Sequence, residues 1–382
     1  MNDPFIAIRH YSEKEAVEAM DRIFGNEVFL QTLRKFEPYI CVKEQLKKYK
    51  EYQNIYDFQI GIAKDFVQYF IDKTTDGVTL SGLENIEKGK SYLFLANHRD
   101  IVFDTSILQY YFFLHQYPTT KIAIGDNLLS TPLLMELGKI NKMIMVKRSV
   151  SIREKLVNYK LLSDYLRHSI LVEQDSVWIA QRNGRTKDGI DKTQNGLIKM
   201  LTMSDSKNPI RALKDLNIVP VTISYEYETC DNLKARELVF SENQIYTKQP
   251  GEDFESIKQG LFGQKGKINL VIGTSLNEAI EAFPKNLNPK ELIEEVCFLA
   301  DQQIYDNYKL YPNNYIAYDV LEKSQRFSHQ YSEEEKNGFL NYLDKQSMIE
   351  EVLKDKMLHY LLQIYANPVK TFYRKELKFH HN

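Results

Sequence analysis

The sequence predicts an α/β protein built on a central, largely parallel mixed sheet flanked by helices, with helical additions at both ends. Three observations predict it. Short apolar, β-rich runs recur through the middle of the chain (YLFLAN, KIAIG, MIMVK, VWIAQ, IVPVTISY, INLVIG). The stretches between them are helical in pattern, the alternation expected of strands joined by crossover helices. The flanks lack such runs and keep the helical three- and four-residue spacing of apolar residues.

Residues 1–75 read as an N-terminal helical region. Ser12-Glu-Lys-Glu15 has the form of a capping box, and EAVEAMDRIF and NIYDFQIGIAKDFVQYFI place apolar residues on one helical face. TTDGVTLSGLENIEKGKSY then changes to short strands and turns and opens the α/β domain, residues 76–285. From residue 286 to 382 the pattern is helical again, interrupted by YDNYKLYPNNYIAYD. No internal repeat or low-complexity linker appears.

Composition narrows the function. A chain of 382 residues with 43% hydrophobic content and a formal net charge of −2 is long enough for a main domain with additions. Its balance is not that of a basic nucleic-acid binder, so positive charge must act locally. Cys41, Cys230 and Cys297 are odd in number and widely spaced, which points to a reducing compartment, the cytoplasm by default, and away from a disulfide framework or a zinc site. His10, His115, His168, His329 and His359 fall in no metal-ligand spacing, and no metal is expected. GLFGQKGKI lacks the spacing and the hydroxyl of a phosphate loop. The start of the chain does not read as a signal peptide, and SILQYYFFL is too short to span a bilayer, so any membrane contact is expected to be peripheral. The basic and aromatic C-terminal KTFYRKELKFHHN reads first as a helical end packing its rings inward, with a lipid surface as the second reading.

The chemistry concentrates in SYLFLANHRDIVFDTSIL, residues 91–108, where an apolar strand stops at Asn97-His98 and a carboxylate follows at Asp104. A neutral imidazole titrates near working pH, and a carboxylate beside it fixes its tautomer and stabilises its cation. Asp104 is also placed to cap the helix that follows. On one uninterrupted helix, positions 98 and 104 face apart, so the pair meets only if the chain bends, and Asp100 is the rival partner. In VWIAQRNGRTKDG, Gly184 frees the backbone at a strand end while Arg182, Arg185 and Lys187 gather positive charge, the outline of an anion site.

These segments resemble the glycerolipid acyltransferase family, the glycerol-3-phosphate and lysophosphatidic acid acyltransferases. NHRDIVFD resembles its first motif, with five residues rather than four between His98 and Asp104. IGDNLLSTPLLMELGKINKMIMVKRS resembles the second, with Arg148 as its arginine. RNGR, at Arg182, Asn183, Gly184 and Arg185, resembles the third but lacks the glutamate that relatives carry before the glycine. Val219-Pro220-Val221 resembles the fourth, and INLVIGTSLNEAI the closing strand.

The resemblance implies a glycerol-3-phosphate acyltransferase-like fold and a transfer of a fatty acyl group to a hydroxyl of glycerol 3-phosphate or lysophosphatidic acid in phospholipid biosynthesis. The donor would be acyl-coenzyme A or acyl carrier protein, with no permanently bound cofactor, at the cytoplasmic face of the inner membrane. It makes His98 the base and Asp104, ahead of Asp100, its partner. Arg148, Arg185 and Arg99 would hold the anionic headgroup, with Asn97, Asn183, Gly184 and Pro220 lining the substrate site. The missing glutamate leaves room for another acceptor, an amino-acid-derived or other hydroxylated lipid. A non-catalytic lipid- or carrier-binding scaffold is the reading from another class.

Overall fold

A computed structural model of the chain describes residues 3–37, 39–148, 151–242, 246–284, 287–348 and 351–377. Its centre is a seven-stranded sheet: β1 (Val78–Ser81), β2 (Leu93–Ala96), β3 (Lys121–Gly125), β4 (Met143–Val146), β5 (Val177–Ala180), β6 (Ile218–Tyr225) and β7 (Ile268–Ile272), in the order β1-β7-β6-β2-β5-β3-β4. Neighbouring strands are parallel except β6 and β7, which are antiparallel. The expected largely parallel, mixed sheet is the one observed.

β2 lies between β5 and β6, so its backbone is paired on both sides and all four of its residues are buried. Phe94 and Ala96 face one core with Trp178, Val221 and Tyr225; Leu93 and Leu95 face the other with Val177, Ile179 and Ile218. That two-residue alternation is the pleat expressed as packing. The first core is closed by helices upstream of residue 75 and by Phe103–Leu114. The second is closed by Ile152–Leu171 and Pro289–Asn307 among others. Residues from Pro312 onward form a third cluster with Asp231–Ser241.

Packing crosses both boundaries read from the sequence. Helix Pro289–Asn307, assigned by its pattern to a C-terminal extension, packs on the sheet, because Leu292, Val296 and Ala300 fill the second core. The N-terminal helices likewise share one core with the sheet. The boundary residues 285 and 286, and residues 378–382 of the basic C-terminal segment, lie outside the described residues.

Pro220 sits inside β6, where a missing N–H would normally break the ladder. Its carbonyl accepts from the Gly273 amide (2.8 Å), just past the last β7 pair, Val221 with Ile272. Since N–H and C=O of one strand residue point the same way, the missing donor falls where pairing with β7 has ended.

One helix departs from regular geometry. Residues Gln59–Ala63 form a π-turn between Ile55–Phe58 and Lys64–Thr74. The Gly61 carbonyl is held there by the Gln45 amide (2.8 Å), and Gln45 in turn accepts from the Tyr52 hydroxyl (2.7 Å). A Cβ at Gly61 would lie 1.9 Å from that hydroxyl, which explains the glycine. Such turns inside α-helices occur frequently at functional sites.

Candidate active site

The chain leaves the C-terminal end of β2 at Asn97, on the edge of the sheet where open α/β folds place their ligands. Asn97 is fully buried and used up internally. Its side-chain amide donates to Asp191 Oδ2 (2.9 Å) and the Ile223 carbonyl (3.0 Å), while its Oδ1 accepts from the Ile223 amide (2.8 Å). It anchors the turn to β6 and cannot also contact substrate, a correction to the expectation.

The bend required between positions 98 and 104 is present. Residues 97–102 are non-helical and helix Phe103–Leu114 begins after them. Asp100 caps this turn, its Oδ1 accepting from the amides of Val102 (2.9 Å) and Phe103 (2.8 Å). Asp104 lies in the first helical turn instead. Its Oδ2 accepts from His98 Nδ1 (2.9 Å) and from the amides of Arg99 (2.7 Å) and Asp100 (2.9 Å), and its Oδ1 accepts from the Tyr225 hydroxyl (2.7 Å). The capping role and the imidazole partner are thus divided between the two aspartates. With Nδ1 donating to a carboxylate, the assigned tautomer leaves the Nε2 lone pair free to accept a proton. The imidazole stands edge-on to Trp178, with ring centroids 5.5 Å apart.

Beneath the turn lies an ionic cluster that patterning could not reveal. Arg99 is 1% exposed; its guanidinium bonds Asp191 (2.6 Å) and Glu228 (3.0 Å) and lies 5.1 Å from the Tyr308 ring centre. Burial works against its charge, but the two carboxylates outweigh it and hold the group above its ordinary range. Arg99 therefore fastens the turn from below and is not a headgroup ligand, a second correction. Its carbonyl accepts from Lys234 Nζ (2.7 Å) and Thr229 Oγ1 (2.9 Å). Pro220, buried with its carbonyl committed to Gly273, also loses its place in the substrate site.

The loop after β5 docks on the histidine directly. The Thr186 amide donates to the His98 carbonyl (2.7 Å) and the Thr186 hydroxyl to Asp191 Oδ1 (2.7 Å). Asp191, five residues further on, thus supplies a carboxylate that the RNGR segment itself lacks. Gly184 has a φ of +79° and open space where a Cβ would be. Asn183 is exposed. Arg185 Nη1 and Arg182 Nε are buried without a hydrogen-bond partner among the described residues, and Arg185 lies beside the Cys230 thiol.

A cleft of about 250 Å³ opens at His98. Trp178, Ile122 and Phe113 give it an apolar lining, Thr105 and Ser106 add hydroxyls near its helix wall, and Arg148, exposed, contributes a cation. The remaining wall comes from the π-turn and the helix after it, through Gln59, Ile60, Ala63 and Val67. Among the described residues no group of His, Cys, Asp and Glu could hold a metal ion.

The geometry offers a base, His98, facing an apolar cleft. Residues 77–224 match the acyltransferase family model. The match covers less than half of the chain. It holds His98, Asp104, Arg148 and Arg185 but ends one residue before Tyr225, and it excludes the helices that close the cleft. No curated protein matches the chain. Among solved structures, the 1-acyl-sn-glycerophosphate (LPA) acyltransferase PlsC from Thermotoga maritima aligns over 78% of this chain and 98% of its own, at 13% identity and a TM-score of 0.37. The signal recognition particle receptor FtsY from Elizabethkingia anophelis, in complex with GDP, aligns over 77% and 88%, at 11% identity and a TM-score of 0.23. At those TM-scores neither likeness carries an argument.

The two aspartates of the turn give a direct test. Asp104→Asn turns an amide N–H toward donors that now point at a carboxylate, and activity should fall by about a thousandfold or more, as in other His–Asp pairs. Asp100→Asn keeps the capping oxygen, since Asn caps as well as Asp, and should stay within about threefold of wild type. Steady-state acyl transfer by both purified variants checks this; the reverse ranking would move the imidazole partner to Asp100.

Proposed function

We propose that the protein transfers a fatty acyl group from a thioester, of coenzyme A or acyl carrier protein, to a hydroxyl of a phosphorylated glycerolipid precursor, glycerol 3-phosphate or lysophosphatidic acid. The observation that carries this reading is the His98–Asp104 pair with its free Nε2 at the mouth of an apolar cleft that Arg148 borders.

The chemistry follows from the placement. Nε2 accepts the acceptor's hydroxyl proton as that oxygen attacks the thioester carbonyl, and Asp104 stabilises the imidazolium that forms. The tetrahedral intermediate collapses with cleavage of the C–S bond, and the imidazolium returns its proton to the departing thiolate. Of the amides in the loop beside His98, Asn183 and Thr186 are already bonded to Gln194 and His98, which leaves those of Gly184 and Arg185 for the developing oxyanion. The acyl chain takes the apolar cleft. Arg148 and Arg185 hold the phosphate, Arg185 through a guanidinium nitrogen that has no other partner.

No helix among the described residues is long and apolar enough to cross a membrane. Downstream of Arg148, the helix Ile152–Leu171 carries exposed Arg153 and Lys155 beside exposed Leu156 and Val157, a mixture suited to an anionic lipid surface. This supports peripheral association with the membrane that supplies the acceptor.

The decisive experiment pairs purified protein with acyl-coenzyme A or acyl carrier protein and offers glycerol 3-phosphate, lysophosphatidic acid or amino-acid lipids. Transfer to a phosphorylated acceptor is expected, with His98→Ala lowering turnover by about a hundredfold or more. Thiol release with no acceptor consumed would mark a hydrolase, and silence throughout a binding protein.

Two variants separate the substrates. Arg148→Ala should raise the acceptor's KM by about tenfold while leaving the donor's unchanged, with Arg148→Lys rescuing only part because it lacks the planar fork. Ala63→Phe, which fills the cleft from its π-turn wall, should lower kcat/KM for long-chain donors by about tenfold relative to short ones. An unchanged chain-length profile would remove the acyl chain from this cleft.

A further inference from the structure

Tyr225 ends β6, just past the acyltransferase match, and nothing in its sequence context distinguishes it from the other tyrosines of the chain. It is 1% exposed, and its hydroxyl donates to the oxygen of Asp104 that His98 does not use. With it, both carboxylate oxygens of Asp104 have a fixed direction: Oδ2 toward the imidazole and the amides of the turn, Oδ1 toward β6.

We propose that Tyr225 is a positioning residue of the active site: it orients the Asp104 carboxylate and draws charge from it, and so sets how tightly His98 holds its proton. The inference rests on His98 being the base. Other charged groups near this pair are fixed. Asp100 and Glu228 are the further carboxylates that act on the phenol. Lys265, from the segment before β7, lies 4.5 Å from the ring centre of Phe103 and bonds Thr74 Oγ1 and the Gly263 carbonyl. Arg99 is committed to Asp191 and Glu228.

Burial, and then the Asp104 and Asp100 carboxylates, push the phenol well above its usual range, so it remains a donor at every pH of interest. The sign of its effect follows. A hydrogen bond to the carboxylate spreads its negative charge; without that bond Asp104 stabilises the imidazolium more strongly, and His98 releases its proton at higher pH. A purely structural tyrosine would not move that titration.

The test is Tyr225→Phe in the full chain, with the His98 imidazole followed by carbon-13 NMR across pH and assigned by its absence from His98→Ala. The midpoint should rise by about half to one pH unit, since only part of the worth of one hydrogen bond to a charged group is passed through Asp104 to the imidazole. The acid limb of kcat/KM should move the same way, with kcat about tenfold lower. A midpoint unchanged from wild type overturns the proposal whatever the activity. Should the Phe variant fail to fold, 3-fluorotyrosine placed at position 225, a stronger donor of nearly the same shape, should move the midpoint down, and no movement would again overturn it. Failure of the acyl-transfer reading shows separately, as a wild-type protein without transfer activity or a His98→Ala variant that keeps it, because the NMR titration needs no turnover.

Discussion

A carboxylate enclosed as completely as Asp104, 3% exposed, has to have its charge met by donors, since an unpaired buried ion costs several kcal/mol. Here the donors come from two parts of the chain: the imidazole and two amides of the turn after β2, and the phenol at the end of β6. Meeting the charge and assembling the site are one event. The two amides that hold Asp104 belong to the residues directly after His98, so fixing the carboxylate also fixes where the imidazole meets it, and a ring that swings away removes one of the carboxylate's four hydrogen bonds.

A second set of charges carries this constraint outward. Arg99 is pulled beneath the turn by Asp191 and Glu228, while Lys234 neutralises Glu228 and also bonds the Arg99 carbonyl. Buried ion pairs of this kind add little net stability compared with apolar packing, but removing one partner strands the others at a cost of about 3–5 kcal/mol. Their effect is to permit one arrangement. The C-terminal helices join in through Tyr365, whose hydroxyl accepts from the Glu228 amide and donates to Asp231, itself bonded by Tyr342. Desolvation raises Asp231 to about 6, and the two phenols that bond it pull the other way. The helices on either side of the sheet segment thus have separate roles: those before it wall the cleft, and those after it brace the turn.

Much of this was legible in residue order because strand-forming runs and a histidine at a strand end are local signals. All six apolar runs became strands, and His98 lies where β2 stops. Strand order was not legible, because it depends on crossovers rather than on the strands. The choice between Asp100 and Asp104 depended on the shape of a six-residue turn, in which one aspartate caps and the other is reached by the ring. Arg99, in a polar turn beside the histidine, has the look of a headgroup ligand; only the contacts with Asp191 and Glu228, 92 and 129 residues away, show that it points inward. Tyr225, 121 residues from Asp104, was hidden for the same reason, since one more aromatic residue at a strand end carries no local signal of what its hydroxyl meets.

The departure in the third segment has a physical consequence as well. The carboxylate that ties this loop to the turn is Asp191, held below the site by Asn97, Arg99 and Thr186, so its charge is consumed by the scaffold. The loop itself, from Arg182 to Lys187, gathers three cations, of which Arg185 is buried. Burial, then the neighbouring Lys248, Arg185 and Arg182, push Lys187 down to about 8, and that repulsion persists although Lys187 is paired with Glu237. An acid placed among these groups would relieve the repulsion within the free protein; placed beneath them, it leaves the positive field for whatever anion enters. The carboxylate that makes the turn rigid is therefore spent beneath the loop, and Glu237 offsets only part of the positive charge gathered beside His98.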